Sequence, residues 1–142
     1  MKYMELKNRF EKEYNDFSKE NIIWAFSDEQ LNEALKERGL TLKQFKELYS
    51  RFYAGGAILN SSAQEYMAMS ERHYEELQSN LRNDSEFAYE AFRYELANHE
   101  YCITCDEEPA LRALGLSSDD VENCPLMLEA FKKAEKECRY EQ

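Results

Sequence analysis

Apolar side chains return every third or fourth position along most of the chain, and that period predicts a mainly α protein. Leu6, Phe10, Tyr14 and Phe17 make one stripe, so residues 4–17 read as a first helix. Residues 21–26 form a short apolar connector that carries the single tryptophan, Trp24. Ser27 stands where an N-cap belongs, and Gln30 three positions on completes a capping box. Leu31, Ala34 and Leu35 give the second helix its inner side. Gly39 then suits the left-handed position just past a helix end, with Leu40 as its hydrophobic contact. Thr41 with Gln44 starts a third helix that carries Leu42, Phe45 and Leu48.

The helical period lapses over residues 49–60. There Phe52, Tyr53, Gly55, Gly56, Ile58 and Leu59 predict two short strands about a Gly-Gly turn. A long helix follows over residues 62–81, capped by Ser62 with Glu65. Its expected inner face is Tyr66, Ser70, Tyr74, Leu77 and Leu81, joined by Met67, with Glu65, Glu71, Arg72, Glu75 and Glu76 outward. Asn83 with Glu86 is expected to cap a helix running to about His99. Phe87, Ala88, Ala91, Phe92 and Leu96 would be its buried side, and Glu86, Glu90 and Glu100 would face solvent. Residues 106–114 form a short helix, and Pro125 opens a last one with Met127, Phe131, Ala134 and Cys138 inward. The expected fold is a compact bundle of about six helices with one short β-hairpin.

One piece of grammar occurs twice. Leu111, Leu114, Gly115, Leu116 and Ser117 repeat the helix–Gly–Leu–cap order of Leu31 to Thr41. A DNA-reading helix–turn–helix needs a basic second helix. Here the second corner leads into Ser118, Asp119, Asp120 and Glu122, so both corners read as ordinary αα turns. Gly55 and Gly56 are not followed by the Lys-Ser/Thr of a phosphate-binding loop.

Composition narrows the picture. With 142 residues the expectation is a single domain, its residues 1–53 neutral and helical, its residues 54–142 strongly acidic and helical. Four glycines and two prolines are few breakers, which agrees with helices. The first ten residues lack the apolar core of a signal segment, and no apolar run approaches the ~20 residues of a membrane span. A soluble protein of the bacterial host cytoplasm is therefore expected, and there Cys102, Cys105, Cys124 and Cys138 should be thiols.

Charge is distributed unevenly along the chain. Residues 1–53 hold ten acids and ten bases, whereas residues 65–129 hold 16 acids and four bases. Residues 132–142 return one positive charge, and the total is −11. Such a field repels nucleic acid and anionic membranes and attracts basic protein grooves.

Candidate chemistry is sparse. His99-Glu-Tyr-Cys102-Ile-Thr-Cys105 has metal-ligand residue types at close spacing, and zinc would take four such ligands in a tetrahedron. Cys124 and Cys138, however, stand alone and 14 positions apart instead of forming a second close pair. Glu95 lies one turn before His99 and could orient its ring, with Cys102 as the nearby nucleophile. The structural alternative is a histidine at a helix C-terminus acting as a favourable dipole partner or a core hydrogen-bonding residue. There is no calcium-loop spacing and no paired Glu-x-x-His. The expectation is a protein that is not an enzyme and has no cofactor, no metal and no catalytic residue.

Binding is the remaining use for so many carboxylates. A mimic of duplex DNA must match about one charge per 1.7 Å of axis, and glutamates on adjacent helical turns stand roughly 5–6 Å apart. The candidate partner-binding set is Glu65, Glu71, Glu75, Glu76, Glu86, Glu90, Glu107, Glu108, Asp119 and Asp120, with Tyr89 and Tyr101 as aromatic anchors. Glu122, Tyr66, Tyr74 and Tyr94 extend the same surface.

The run Tyr94-Glu-Leu-Ala-Asn-His-Glu-Tyr101 resembles a signature of small acidic proteins carried by phages and conjugative elements of gut bacteria. Ala25-Phe26-Ser27-Asp28-Glu29-Gln30 and Leu111-Arg-Ala-Leu-Gly115-Leu116 resemble that group's flanking segments. The resemblance implies a mobile-element counter-defence protein, such as an anti-CRISPR inhibitor. Its partner would be a basic CRISPR effector nuclease, bound through the acidic helical face so that nucleic-acid binding or cleavage is blocked. Direct binding to nucleic acid or membrane is not expected. The alternatives are a general protein-interaction module without mimicry, or a zinc-stapled module using His99 and the cysteines.

Overall fold

The computed structural model describes residues 2–140, and side chains of residues 2–138; Met1, Glu141 and Gln142 lie outside the described residues. Nine α-helices and a three-stranded antiparallel sheet are described. They run α1 (Lys2–Asn21), β1 (Ile22–Trp24), α2 (Asp28–Arg38), α3 (Leu42–Leu48), β2 (Tyr49–Arg51), β3 (Gly56–Leu59) and α4 (Ala63–Asn83). After these come α5 (Ser85–Asn98), α6 (Tyr101–Thr104), α7 (Glu108–Ala113), α8 (Ser118–Glu122) and α9 (Pro125–Tyr140). The mainly α expectation holds. The count of about six helices is corrected to nine, because the one-turn helices α6 and α8 are too short to show a period.

A hairpin is present, but its first strand is Tyr49–Arg51, Phe52 and Tyr53 belong with Gly55 to the turn, Gly56 opens the second strand, and the hairpin is not alone. The connector at residues 21–26 contributes β1, so the sheet order is β1-β3-β2 with β3 in the centre. Ile22 pairs with Ile58, and Ser50 pairs with Ile58 from the other side. Three residues are too few for alternation to announce a strand.

The chain divides into two compact units, one of residues Met1–Arg9 and Arg72–Gln142, the other of Phe10–Glu71. The boundary that charge suggested, between residues 53 and 54, falls inside the second unit.

In the first unit α5 packs chiefly on α9. Ala88 and Ala91 are small enough to let the helices approach, and Phe92 meets Phe131 edge-on at 5.3 Å between ring centres. Phe87, Leu96, Met127, Ala134 and Cys138 complete this seam, as their spacing predicts. The cap of α5 is a correction: Asp84, not Asn83, accepts the Phe87 amide at 3.1 Å. Asn83 is the last residue of α4 and donates to the Ser79 carbonyl. The corner at Gly115 forms as expected, with Leu116 N–H bonded to the Leu111 carbonyl at 2.9 Å and Ser117 boxed with Asp120. Gly115 has φ 68, and a Cβ there would come within 3.1 Å of Gln78 and Tyr74. Gln78 is buried because its amide donates to the Leu114 carbonyl at 2.8 Å.

In the second unit Phe17, Ile22, Ile58 and Met69 make a small core, flanked by Tyr14, Phe52 and Tyr66. Thr41 and Gln44 form their capping box, and Gly39 with Leu40 closes α2 as predicted. The first corner's apolar face is less covered than expected, since Leu42 and Leu48 are exposed. Trp24 lies flat against Gly56, where any Cβ would come within 2.7 Å of the ring. Its indole donates to the Ser18 hydroxyl at 2.9 Å. On α4 the expected inner positions Tyr66 and Leu81 are covered, Tyr66 partly and Leu81 fully, and Met69 and Gln78 join them, whereas Ser70, Tyr74 and Met67 are exposed. A five-position stripe read at one residue's offset drifts round the helix.

Candidate functional site

The anticipated acidic residues fall on both units. Glu65 and Glu71 are exposed on the part of α4 that belongs to the second unit. The others belong to the first. Glu75, Glu86, Glu108 and Asp119 are exposed there, while Glu76, Glu90, Glu107 and Asp120 are half-buried.

Several of these carboxylates are already engaged. Arg9 holds Glu76 at 2.5 Å, and Lys2 lies 3.7 Å from Glu86 and 3.0 Å from Asp84. Glu90 accepts the Tyr3 amide at 3.2 Å, and Glu107 the Ser118 hydroxyl at 3.2 Å. Glu108 pairs with Arg112 at 2.5 Å. Asp120 caps Ser117 at 2.9 Å, and that amide holds its carboxyl below the usual range, helped by Arg82. Asp84 is likewise lowered, first by the Phe87 amide and then by Lys2.

With Lys7, which lies 3.0 Å from Glu95, three bases of the neutral N-terminal segment thus fold onto the acidic segment. Counted by unit, the first has 18 acids and 11 bases, a net of −7, and the second 11 acids and seven bases, a net of −4. The segregation along the chain is therefore much reduced between compact units. What persists is local: Glu75, Asp119, Glu122 and Glu129 are exposed in the first unit without an ion pair among the described residues.

The two anchor tyrosines differ from expectation. Tyr101 is buried, and its hydroxyl donates to Glu135 at 2.9 Å, so it offers no surface. The reason is α6, whose single turn rotates the side chain inward against α9. Tyr89 is half-buried, hydrogen-bonded to Glu137, and covered by Lys133 at 4.5 Å from its ring. The bond to Glu137 raises its hydroxyl pKa.

A buried carboxylate lies behind this surface. Glu95 is 1% exposed. It accepts from the Tyr3 hydroxyl at 2.6 Å and from Lys7 at 3.0 Å, and His99 Nε2 stands 3.3 Å from its second oxygen. Burial and then the Glu95 carboxylate push the Tyr3 hydroxyl far up. The expected Glu95–His99 contact therefore exists. Tyr3 and Lys7 were not legible as its partners, although each pair is spaced i, i+4 on its own helix. With both oxygens engaged, the carboxylate fits the role of a buried tie between α1 and α5.

The cysteines are also a correction. Cys102 and Cys138 are joined as a disulfide with Cα atoms 6.0 Å apart, while Cys105 is exposed and Cys124 half-buried. Nothing in a separation of 36 residues signals that α6 and α9 are neighbours. Because Cys102 is taken by Cys138, the zinc set of His99, Cys102 and Cys105 is not assembled. Among the described residues no group of three or more His, Cys, Asp or Glu is placed to hold a metal.

The second unit carries a different feature, an open groove of about 720 Å³ on the sheet face opposite the small core. Ile23, Phe26, Leu31, Phe45, Tyr49 and Phe52 line it, with Lys46, Arg51 and Asp28 at its polar positions. Phe26 is 74% exposed, Tyr53 70% and Met67 69%. Sequence reading gave these residues core roles or none.

Helices α1–α9, a three-stranded sheet and two Gly-Leu corners define a mainly α protein with a small antiparallel sheet. The chain belongs to the family described as "Family of unknown function (DUF7659)", whose model matches residues 2–137. No curated protein and no solved structure matches it significantly. No helix among the described residues is long and apolar enough to cross a membrane.

Proposed function

We propose that this chain is a counter-defence inhibitor of mobile-element origin that works by binding alone. Its acidic helical surface occupies the basic groove of a nucleic-acid-handling protein. A CRISPR effector nuclease is the target to test first, since such enzymes hold guide and target in positively charged channels. The carrying observation is an imbalance in the first unit. Lys2, Lys7, Arg9, Arg82, Arg93 and Arg112 lie within ion-pair distance of its own acids, whereas Glu75, Asp119 and Glu122 are exposed without an ion pair among the described residues, and the exposed lysines Lys132, Lys133 and Lys136 all lie on α9 beside Glu129. Away from α9 the surface therefore has carboxylates to offer, and a basic partner would meet them there.

A second reading has its own observation. Phe26 is exposed in the apolar groove of the second unit, whose surface also carries exposed Tyr53 and Met67. An interaction module that needs no mimicry would bind there.

One experiment separates the two. The protein is used to capture candidate CRISPR effectors from lysate across rising salt, with a Glu75→Lys, Asp119→Lys, Glu122→Lys, Glu129→Lys variant alongside. Steep loss of capture with salt, together with at least roughly tenfold weaker capture by the variant, supports the acidic surface. Capture indifferent to salt and to the variant transfers the function to the apolar groove. Failure to capture any nuclease sinks the anti-CRISPR proposal.

A further inference from the structure

We propose that Cys105 is the exchange thiol through which low-molecular-weight disulfides and thiols of the glutathione class make and break the Cys102–Cys138 bond. Three observations carry this. Cys138 is 1% exposed and Cys102 is half-buried, so the bond itself presents little sulfur to solvent. Cys105 is an exposed free thiol. Its amide donates to the Tyr101 carbonyl at 2.8 Å, so it caps α6 in the left-handed conformation (φ 58), three positions after Cys102. Helix rise and radius put Cα atoms three positions apart at about 5 Å, within the roughly 4.4–6.8 Å that a disulfide spans. Cys138, with its Cα 6.0 Å from that of Cys102, meets the same condition from α9. By Cα spacing, then, Cys102 is within reach of both partners.

The exchange balances without a metal or cofactor. In reduction, the Cys105 thiolate attacks the Cys102 sulfur, the Cys102–Cys105 bond forms, and Cys138 leaves as a thiolate and takes a proton. An external thiolate then attacks the Cys105 sulfur, releasing Cys102. A second external thiolate attacks the outer sulfur of the resulting mixed disulfide. The products are the protein dithiol and one external disulfide, with two external thiols oxidised. Formation of the bond runs the same steps backwards, beginning with Cys105 attacking an external disulfide. A tethered thiol competes well with a free one because it attacks from within the molecule, whereas the buried bond gives an external thiol little access. In a reducing cytoplasm the bond would be broken, and in an oxidising one made.

The test uses the full chain. Oxidised protein is mixed with reduced glutathione, quenched in acid, alkylated, and the Cys102–Cys138 peptide pair is followed by mass spectrometry. Cys105→Ser should slow loss of the bond at least roughly tenfold, and Cys124→Ser should leave the rate unchanged. In Cys102→Ser, Cys105 should retain glutathione as a stable mixed disulfide. An unchanged rate in Cys105→Ser would overturn the proposal. So would persistence of Cys102 and Cys138 as thiols after equilibration with oxidised glutathione.

Discussion

The two units spend their apolar residues differently. Among the described residues, 19 buried apolar side chains belong to the unit built on α5 and α9, and six to the unit built on the sheet. The first unit buries Phe92, Leu81, Leu96 and Met127 fully. The second leaves Phe26, Leu42, Leu48, Tyr53 and Met67 on its surface. The first also has two ties that the second lacks among the described residues, a disulfide and a buried carboxylate with three donors around it. The difference teaches that the sequence is divided between a part whose stability comes from a packed seam and a part whose apolar side chains remain free for another surface.

Trp24, the single tryptophan, lies in the second unit and reports on it alone. Far-UV dichroism follows mostly the helices of the first. In urea, the Trp24 fluorescence transition should precede the dichroism transition in the wild-type chain. Phe92→Ala should give the largest change, removing about 3–5 kcal/mol of stability from the first unit. It should narrow the gap between the two probes or reverse their order. If both probes move together by the same amount, the two units unfold as one and the comparison fails.

Reducing the disulfide, or replacing Cys138 by Ala, should remove about 2–4 kcal/mol, since a closed loop of this length restricts the unfolded chain. Differential scanning calorimetry with and without reductant reads that shift, which should spare the Trp24 signal. Tyr3→Phe should cost about 1.5–3 kcal/mol, because it deletes a buried hydrogen bond to a charged acceptor. Matching urea titrations of Tyr3→Phe and wild type measure it, again with the loss confined to the first unit.

The smallest effect concerns pH. The Asp84 carboxyl sits below its ordinary value of 3.8 in the folded state, held by the Phe87 amide and by Lys2. A lowered folded value contributes stability above the unfolded value, and that contribution disappears as pH falls through the folded one. Asp84→Asn should therefore have a slightly lower urea midpoint than wild type at neutral pH. The two midpoints should converge as pH drops below 3.8. A constant difference through that range would mean that Asp84 acts only through its shape.

The helices of the first unit were largely legible. Phe87, Ala88, Ala91, Phe92 and Leu96 recur at a period set by 3.6 residues per turn, and the seam they predict is the seam that forms. Caps and corners were legible for the same reason, since Ser27, Thr41, Gly39 and Gly115 act within four residues of themselves. Strand β1 was not, because its three residues carry no period of their own and pair only after residues 56–59 have come back to meet them.

The candidate site was legible in kind but not in arrangement. Counting acids along the chain separates a neutral part from one that nets −12. Folding returns Lys2, Lys7 and Arg9 to Asp84, Glu95 and Glu76, at sequence separations of 67 to 88. Which carboxylates remain for a partner is thus decided by pairs that no local pattern contains. The same holds for Cys102 with Cys138 and for Tyr3 with Glu95. The sequence by itself determined the mainly α class, the two Gly-Leu corners with their caps and the chain's excess of negative charge, because these follow from short-range periodicity, capping and composition. Tertiary structure alone decided which acids are spent, which cysteine is bonded and where an apolar groove opens, because each depends on atoms brought together from distant parts of the chain.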